Sequence, residues 1–254
     1  MLSTPYNAEF FAGQRNDSLS SARVVVPHLL QLCNPRSVAD FGSGVGTWLS
    51  AFRELGVEDI TGVDGDYVQT EELLIPSNCF HRADLTQPID LKRRFDLVVS
   101  VEVAEHLAEN CAATFVDTLT RHGGVILFSA AIPGQRGTSH INERWPTYWQ
   151  ELFQSRGHEC IDCLRDIFWT DERISWWYRQ NMLLFVSKDL LPSLPALQRE
   201  RERPKRMPLS IVHPGCIENI VREDQNKLLD TPTAKIGRRL RAFGARAVRG
   251  KTPA

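Results

Sequence analysis

The chain has 254 residues, enough for one full α/β domain with extensions. Hydrophobic residues make up 42 % and charged residues 24 %, an ordinary globular balance that excludes a disordered or fibrous chain. A formal net charge of −1 gives the whole molecule no obvious polyanion-binding character. No apolar run approaches the roughly 20 residues of a membrane span, and residues 1–20 lack the basic start and apolar core of a secretion signal.

In chain order, residues 1–17 read as irregular and polar apart from Phe10 and Phe11. Ser18 to Leu32 reads as a helix, since Val24, Val25, Leu29 and Leu32 recur near helical spacing, with Pro27 predicting a late start or a kink. Strands are predicted at 38–41, 59–64, 79–82, 95–101, 124–130, 159–164 and 182–187, and helices at 47–55, 106–120 and 146–156. Such alternation predicts a parallel sheet covered on both faces. All-apolar runs such as Val125-Ile126-Leu127-Phe128 suit strands buried on both sides. Asp166 to Asn181 joins the last two strands without a complete crossover-helix pattern. From Asp189, Pro192, Pro195, Pro204 and Pro208 predict a linker. The expected organisation is 1–35 as an N-terminal extension and helix, 36–188 as the main domain, and 189–254 as a linker with a basic C-terminal extension.

Six cysteines, Cys33, Cys79, Cys111, Cys160, Cys163 and Cys216, form no disulfide-like framework. Cys160-x-x-Cys163 has no second pair or nearby ligand histidine, so it reads as strand packing in a reduced, cytoplasmic protein.

The most informative stretch is Ser37 to Asp66. Val38 to Phe41 ends in Gly42, Gly44 and Gly46, a helical segment follows, and a second apolar run ends in Asp64. That is a strand, a glycine loop, a helix and a strand tipped by a carboxylate. Glycine lets backbone approach a ligand, the helix start offers unpaired N–H groups, and an acid at the second strand's end sits where α/β folds bind ribose hydroxyls. A dinucleotide fingerprint wants glycine or alanine where Thr47 stands. Asp40, just before the loop, disfavours a polyphosphate and suits a cationic ligand.

Asp-x-Gly-x-Gly-x-Gly, at Asp40 to Gly46, resembles motif I of the class I S-adenosylmethionine (SAM)-dependent methyltransferases, over about residues 20–188. The resemblance implies a Rossmann-like methyltransferase fold: an α/β, three-layer α/β/α sandwich with a mostly parallel seven-stranded sheet and an antiparallel last strand. It implies SAM as cofactor, with Asp40, Gly42, Gly44 and Gly46 around its amino-acid end and Asp64 on the ribose. His81-Arg82-Ala83-Asp84-Leu85 resembles the family's adenine segment, with Asp84 and the Leu85 N–H on the ring.

Glu102 falls at the tip of the fourth strand, beside the crevice where open α/β sheets bind ligands. Glu102-Val-Ala-Glu105-His106 resembles the segment of ubiquinone-pathway O-methyltransferases and small-RNA 2′-O-methyltransferases that holds a divalent metal. Glu102, Glu105 and His106 would then be ligands, with His140 as the further one. Without a metal, His106 or His140 is the candidate general base, and Glu102 stays near the donor.

Gly134 to Glu143 reads as a glycine loop of the acceptor pocket. Trp145, Trp149, Trp169, Trp176 and Trp177, joined by Tyr148, Phe153, Phe168 and Tyr178, read either as core or as the wall of a pocket for a sugar or ring-bearing acceptor. Lys235 to Lys251 carries seven basic residues and no acid. It reads as an interfacial membrane helix at the inner membrane face, as a polyanion-binding tail, or as a solvated tail weakened by Gly237, Gly244 and Gly250. The expected function is methylation of a small-molecule or glycan hydroxyl. An RNA 2′-O-methyltransferase and a non-catalytic SAM-binding partner protein are the rivals.

Overall fold

The computed structural model describes the backbone of residues 8–230 and the side chains of residues 17–228. The basic segment 235–251 lies outside the described residues. Strands β1 (Ser37–Phe41), β2 (Asp59–Asp64), β3 (Phe80–Arg82), β4 (Leu97–Val101), β5 (Val125–Ser129), β6 (His158–Ile161) and β7 (Leu183–Ser187) form one seven-stranded sheet in the order β3-β2-β1-β4-β5-β7-β6. β7 runs antiparallel to both β5 and β6, while β1 to β5 pair in parallel. The seven predicted strands and the antiparallel last one are therefore present.

Alternate side chains of these buried strands feed two separate cores, as the period of two requires. Val38, Leu97, Val99, Val125, Leu127, Leu184 and Val186 point to one face. They meet α1 (Ala8–Cys33) and α2 (Thr47–Glu54), through Val25, Leu29, Trp48 and Phe52. Ala39, Phe41, Val98, Ile126, Phe128, Leu183 and Phe185 point to the other. There they meet α3 (Ala112–His122) and α4 (Pro146–Gln154), through Phe115, Leu119, Trp149 and Phe153. Helices on both sides explain why the strands carry no polar face.

Three elements depart from expectation. The first helix begins at Ala8 rather than Ser18 and runs through Pro27. The helix expected over 106–120 begins at Ala112, after short 3-10 turns at Ala104–His106 and Glu109–Cys111. The reason is local: Glu102 takes φ 54 at the end of β4, and the Glu105 carbonyl accepts the Ile141 and Asn142 N–H groups instead of an N–H four residues on. Third, the proline-rich stretch after Asp189 is folded chain. A 3-10 turn at Leu191–Ser193 and α7 (Pro195–Glu202) bury Leu191 and Leu197 in the first core.

Between β6 and β7 lie two short helices, α5 (Leu164–Phe168) and α6 (Trp176–Asn181). The Arg165 guanidinium, fully buried, pairs with Asp162 and donates to the carbonyls of Gln180, Pro208 and Leu209. It thus pins the segment after α7 against α5 and α6. Residues up to His213 form one compact unit. A second unit begins at Pro214 and contains α8 (Pro214–Asp230), in which Asn219 is bonded to both Arg222 and Glu223.

Candidate active site

The three loop glycines all lie in the left-handed region, with φ 88, 52 and 84 at Gly42, Gly44 and Gly46. Their surroundings differ. A Cβ on Gly42 would stand 2.3 Å from Val103, and one on Gly46 2.8 Å from Ile75, whereas one on Gly44 would meet nothing within 4 Å. Two glycines therefore serve close packing, and Gly44 alone leaves its backbone open to a ligand.

Asp64, at the tip of β2, is 2 % exposed. Its Oδ2 accepts the Gly44 N–H at 2.6 Å; its Oδ1 accepts the Gly65 N–H at 2.7 Å and the Tyr67 hydroxyl. Burial pushes its pKa up and these hydrogen bonds pull it back. Asp40, equally buried, has no hydrogen-bond partner on Oδ1. Burial, and then the Asp64 charge, push its pKa well above the usual carboxylate range.

A cleft of about 570 Å³ runs from Asp64 and Tyr67 past Asp84 and Leu85 to His106 and Leu107. Asp84 accepts the Thr86 N–H and hydroxyl at 2.9 and 2.7 Å, which hold its carboxyl below the ordinary range. Arg82 donates to the Asp66 carbonyl and to Thr70 Oγ1, bracing the rim.

Across the sheet, Glu102 leaves β4 with its amide donating to the Ser129 carbonyl at 3.0 Å. Its Oε1 accepts from Asn181 Nδ2 and its Oε2 from Gln135 Nε2, both at 3.0 Å. Gln135 Oε1 in turn accepts from Asn181 at 2.9 Å and from Gln180 at 3.0 Å, and Gln180 Oε1 accepts the His213 N–H at 2.8 Å. Burial raises the Glu102 pKa against the pull of these donors.

Glu105 is fully buried, and neither carboxyl oxygen has a hydrogen-bond partner. Burial, then the Glu102 charge, push its pKa well up. Ligand-type atoms of Glu105, His106 and His140 lie within 4.8 Å of one another, and the two imidazoles meet edge to face at 4.9 Å. His106 is pushed down to about 4, chiefly by burial and then by the neighbouring His140. His140 Nδ1 donates to Glu143 Oε1 at 3.0 Å.

Of the four residues expected to share a metal, three come together. Glu102 lies next to them with both oxygens already engaged by amides. The sequence placed Gln135 and Glu143 in the acceptor loop and Gln180 and Asn181 in a polar pocket wall without naming their partners, and gave Tyr67 no role. Tyr67 had a local signal, three residues after Asp64; the others acquire their partners only through the fold. The aromatic run divides: Trp149, Phe153, Phe168 and Tyr178 are core, while Trp145 is 39 % exposed. Cys160 and Cys163 are buried, and burial pushes the Cys160 thiol up to about 12, so neither is a ready nucleophile.

Among the described residues, no helix is long and apolar enough to cross a membrane. No curated protein sequence matches the chain. Several solved structures share its fold. A sugar N-methyltransferase from Streptoalloteichus sp ATCC 53650 is 17 % identical, with TM-score 0.56, over 74 % of this chain and 97 % of that one. A SAM-bound amino pentose methyltransferase from Micromonospora echinaspora is 13 % identical, with TM-score 0.54, over 74 % and 100 %. A magnesium protoporphyrin IX methyltransferase from Synechocystis PCC 6803, with bound SAH, is 17 % identical, with TM-score 0.52, over 73 % and 90 %. Residues 14–180 match the family model described as "Methyltransferase domain", and with the glycine loop and the sheet order above, the chain belongs to that family and is a SAM-dependent methyltransferase.

Proposed function

We propose that the enzyme transfers the SAM methyl group to a hydroxyl of a small molecule or glycan. The observation that carries this reading is the imidazole pair at the end of the donor cleft, with His106 lining the cleft and His140 packed on it. In the transfer the acceptor oxygen forms a bond to the methyl carbon, the carbon–sulfur bond breaks, and its electron pair stays on sulfur. The hydroxyl proton needs a base. His106, held near 4, keeps a proton poorly; His140 is therefore assigned to take it. Otherwise the chain's task is alignment and exclusion of water. A sugar N-methyltransferase and an amino pentose methyltransferase among the fold neighbours support a sugar-type acceptor without bearing on the hydroxyl, at identities that speak for the fold alone.

On the donor side, Asp64 serves the ribose, Asp84 and the Leu85 N–H the adenine, and the opening at Gly44 the amino-acid end, between Gly42 and Gly46. A carboxylate has about four acceptor positions. Asp64 already spends three, so it offers the ribose one, and replacing it by alanine weakens SAM binding by about 1–3 kcal/mol in calorimetry. The lone Asp40 oxygen is matched by the SAM ammonium, which would relieve the cost of an unpartnered buried carboxyl. Glu102 stands near the donor as the end of an amide network.

A second reading is favoured by one observation, the two partnerless oxygens of buried Glu105 beside two imidazoles. One carboxylate and two imidazoles suit a borderline divalent cation. Glu105, His106 and His140 would hold it, without Glu102. Such an ion would supply Lewis acidity toward the acceptor hydroxyl. Elemental analysis, with activity measured in chelator, decides: full activity in chelator removes the ion.

The test of the main reading is transfer of labelled methyl from SAM into a panel of glycans, small hydroxylic compounds, amines and RNA. Label in an alkali-stable methyl ether of a glycan or small molecule is expected. Label confined to amines overturns the hydroxyl, and label confined to RNA moves the function to RNA 2′-O-methylation.

A further inference from the structure

Resting on the reading of His140 as base or ligand, we infer that Glu143 is a positioning residue that fixes the tautomer of His140. The acceptor loop bends repeatedly through left-handed backbone, with φ 83 at Gly134, 64 at Arg136 and 61 at Ser139. Such a conformation turns successive N–H groups inward, and here a single carboxylate closes it. Glu143 Oε2 accepts the Gly134 N–H at 2.7 Å, and Oε1 accepts both the Arg136 N–H at 2.9 Å and His140 Nδ1 at 3.0 Å. Two backbone donors are already aimed at the carboxylate, which can only accept.

An acceptor-only partner decides which imidazole nitrogen carries the proton. With the proton on Nδ1 facing Glu143, the neutral ring keeps its lone pair on Nε2. A second feature sets the ring's seat. A Cβ at Gly137 would stand 2.3 Å from both Cε1 and Nε2 of His140, so the imidazole fits where it is only because residue 137 has no side chain. Glu143 holds one edge of the ring and Gly137 admits the other. The basic nitrogen is then settled before any acceptor arrives, whether it takes a hydroxyl proton or an ion. The i to i+3 spacing of His140 and Glu143 also keeps this pair within the loop, so the loop carries its own orienting group. Partners of this kind, one step behind a functional histidine, change activity by about 10–100-fold when removed.

The experiment uses the full chain with ring-15N-labelled histidine, the His140 signals being assigned by their loss in His140→Asn. Long-range 15N–1H correlation at neutral pH is expected to show His140 protonated on Nδ1. In Glu143→Gln the carboxamide keeps one acceptor oxygen, which can stay on the Gly134 N–H, and turns an NH2 donor toward His140 Nδ1 at the expense of the Arg136 contact, so the proton is expected to move in part or whole to Nε2. Methyl transfer is expected to lose about 10–100-fold in kcat with the KM for SAM unchanged. An Nδ1-protonated ring in Glu143→Gln, or an Nε2-protonated ring in the natural chain, overturns the positioning role. A shifted tautomer with unchanged kcat supports the positioning and removes His140 from the chemistry, so the two ideas fail separately. Unchanged thermal unfolding of the variant shows that the loop stays folded.

Discussion

The two ends of the crevice are built in different ways. On the donor side, the side-chain hydrogen bonds join residues near one another in the chain: Gly44 to Asp64, Asp64 to Gly65 and Tyr67, Asp84 to Thr86. On the acceptor side, Glu102 reaches Asn181 across 79 residues, Gln135 reaches Gln180 across 45, and Gln180 reaches His213 across 33. The donor side is a local motif carried by the chain from β1 to the turn after β3. The acceptor side is a polar network assembled where β4, β5 and β7 come together. Such a network requires every member to be satisfied at once, so its residues should respond to substitution together.

The largest expected effect lies behind the acceptor side. Arg165→Met leaves Asp162 charged and largely buried, and frees the carbonyls of Pro208 and Leu209. Breaking a buried pair from one side costs about 3–5 kcal/mol, so the urea midpoint should fall by that equivalent. A loss under about 1 kcal/mol would mean that this segment is held by something other than its guanidinium pin.

On the donor side the glycines separate packing from binding. Gly42→Ala forces a methyl group into Val103 at positive φ, and should destabilise the fold by about 2–3 kcal/mol. Gly44→Ala meets open space, so its folding cost is limited to backbone strain of about 1 kcal/mol. Its main effect should instead be weakened SAM binding. Thermal melts with and without SAM check the pair; equal melting losses and equal SAM affinities would erase the distinction. Next in size, Asn181→Leu strips Glu102 Oε1 and Gln135 Oε1 of a donor and should cost about 1–3 kcal/mol. Combined with Gln135→Leu, the loss should fall short of the sum, because the two amides share partners.

The same contrast explains what the sequence revealed. The alternation of apolar runs with helical segments predicted all seven strands, since all but the short edge strand β3 are mainly buried. Asp40, Gly42, Gly44, Gly46 and Asp64 stood out because a donor site of the kind proposed needs those residue types at short spacing. Glu102, Glu105, His106 and His140 were legible as residues, but not as a geometry. A pattern of spacings treats Glu102 and Glu105 alike, whereas the fold gives one carboxyl two amide donors and leaves the other bare. Gln135, Gln180 and Asn181 were legible as polar groups of the acceptor side but not as a network, since a buried amide looks like any loop amide until its partner arrives from another strand. The proline-rich stretch misled for a similar reason: Leu191 and Leu197 mark a packed turn and helix only once a core exists to receive them.

A smaller effect, a slope rather than a step, comes from a residue belonging to neither side. His122, fully buried at the end of α3, donates from Nδ1 to the Thr118 carbonyl at 2.7 Å and accepts the Leu91 N–H on Nε2 at 2.9 Å. Only a neutral imidazole can do both, because the protonated ring has no acceptor. Burial accordingly pushes its pKa down, the Thr118 carbonyl opposing in part. The unfolded chain titrates near 6.5. Its contribution is therefore fully present above about pH 6.5, and is lost as pH falls from there through the depressed folded value. Urea midpoints should decline between pH 7 and pH 5 while SAM affinity at a fixed folded fraction stays unaltered by this group. His122→Gln keeps one donor and one acceptor without a titrating proton, so it should flatten that decline, leaving the remainder to His158, which burial also depresses. An identical slope in the variant would move the acid sensitivity elsewhere, and the first place to look would be the half-buried imidazole of His106, which is also depressed.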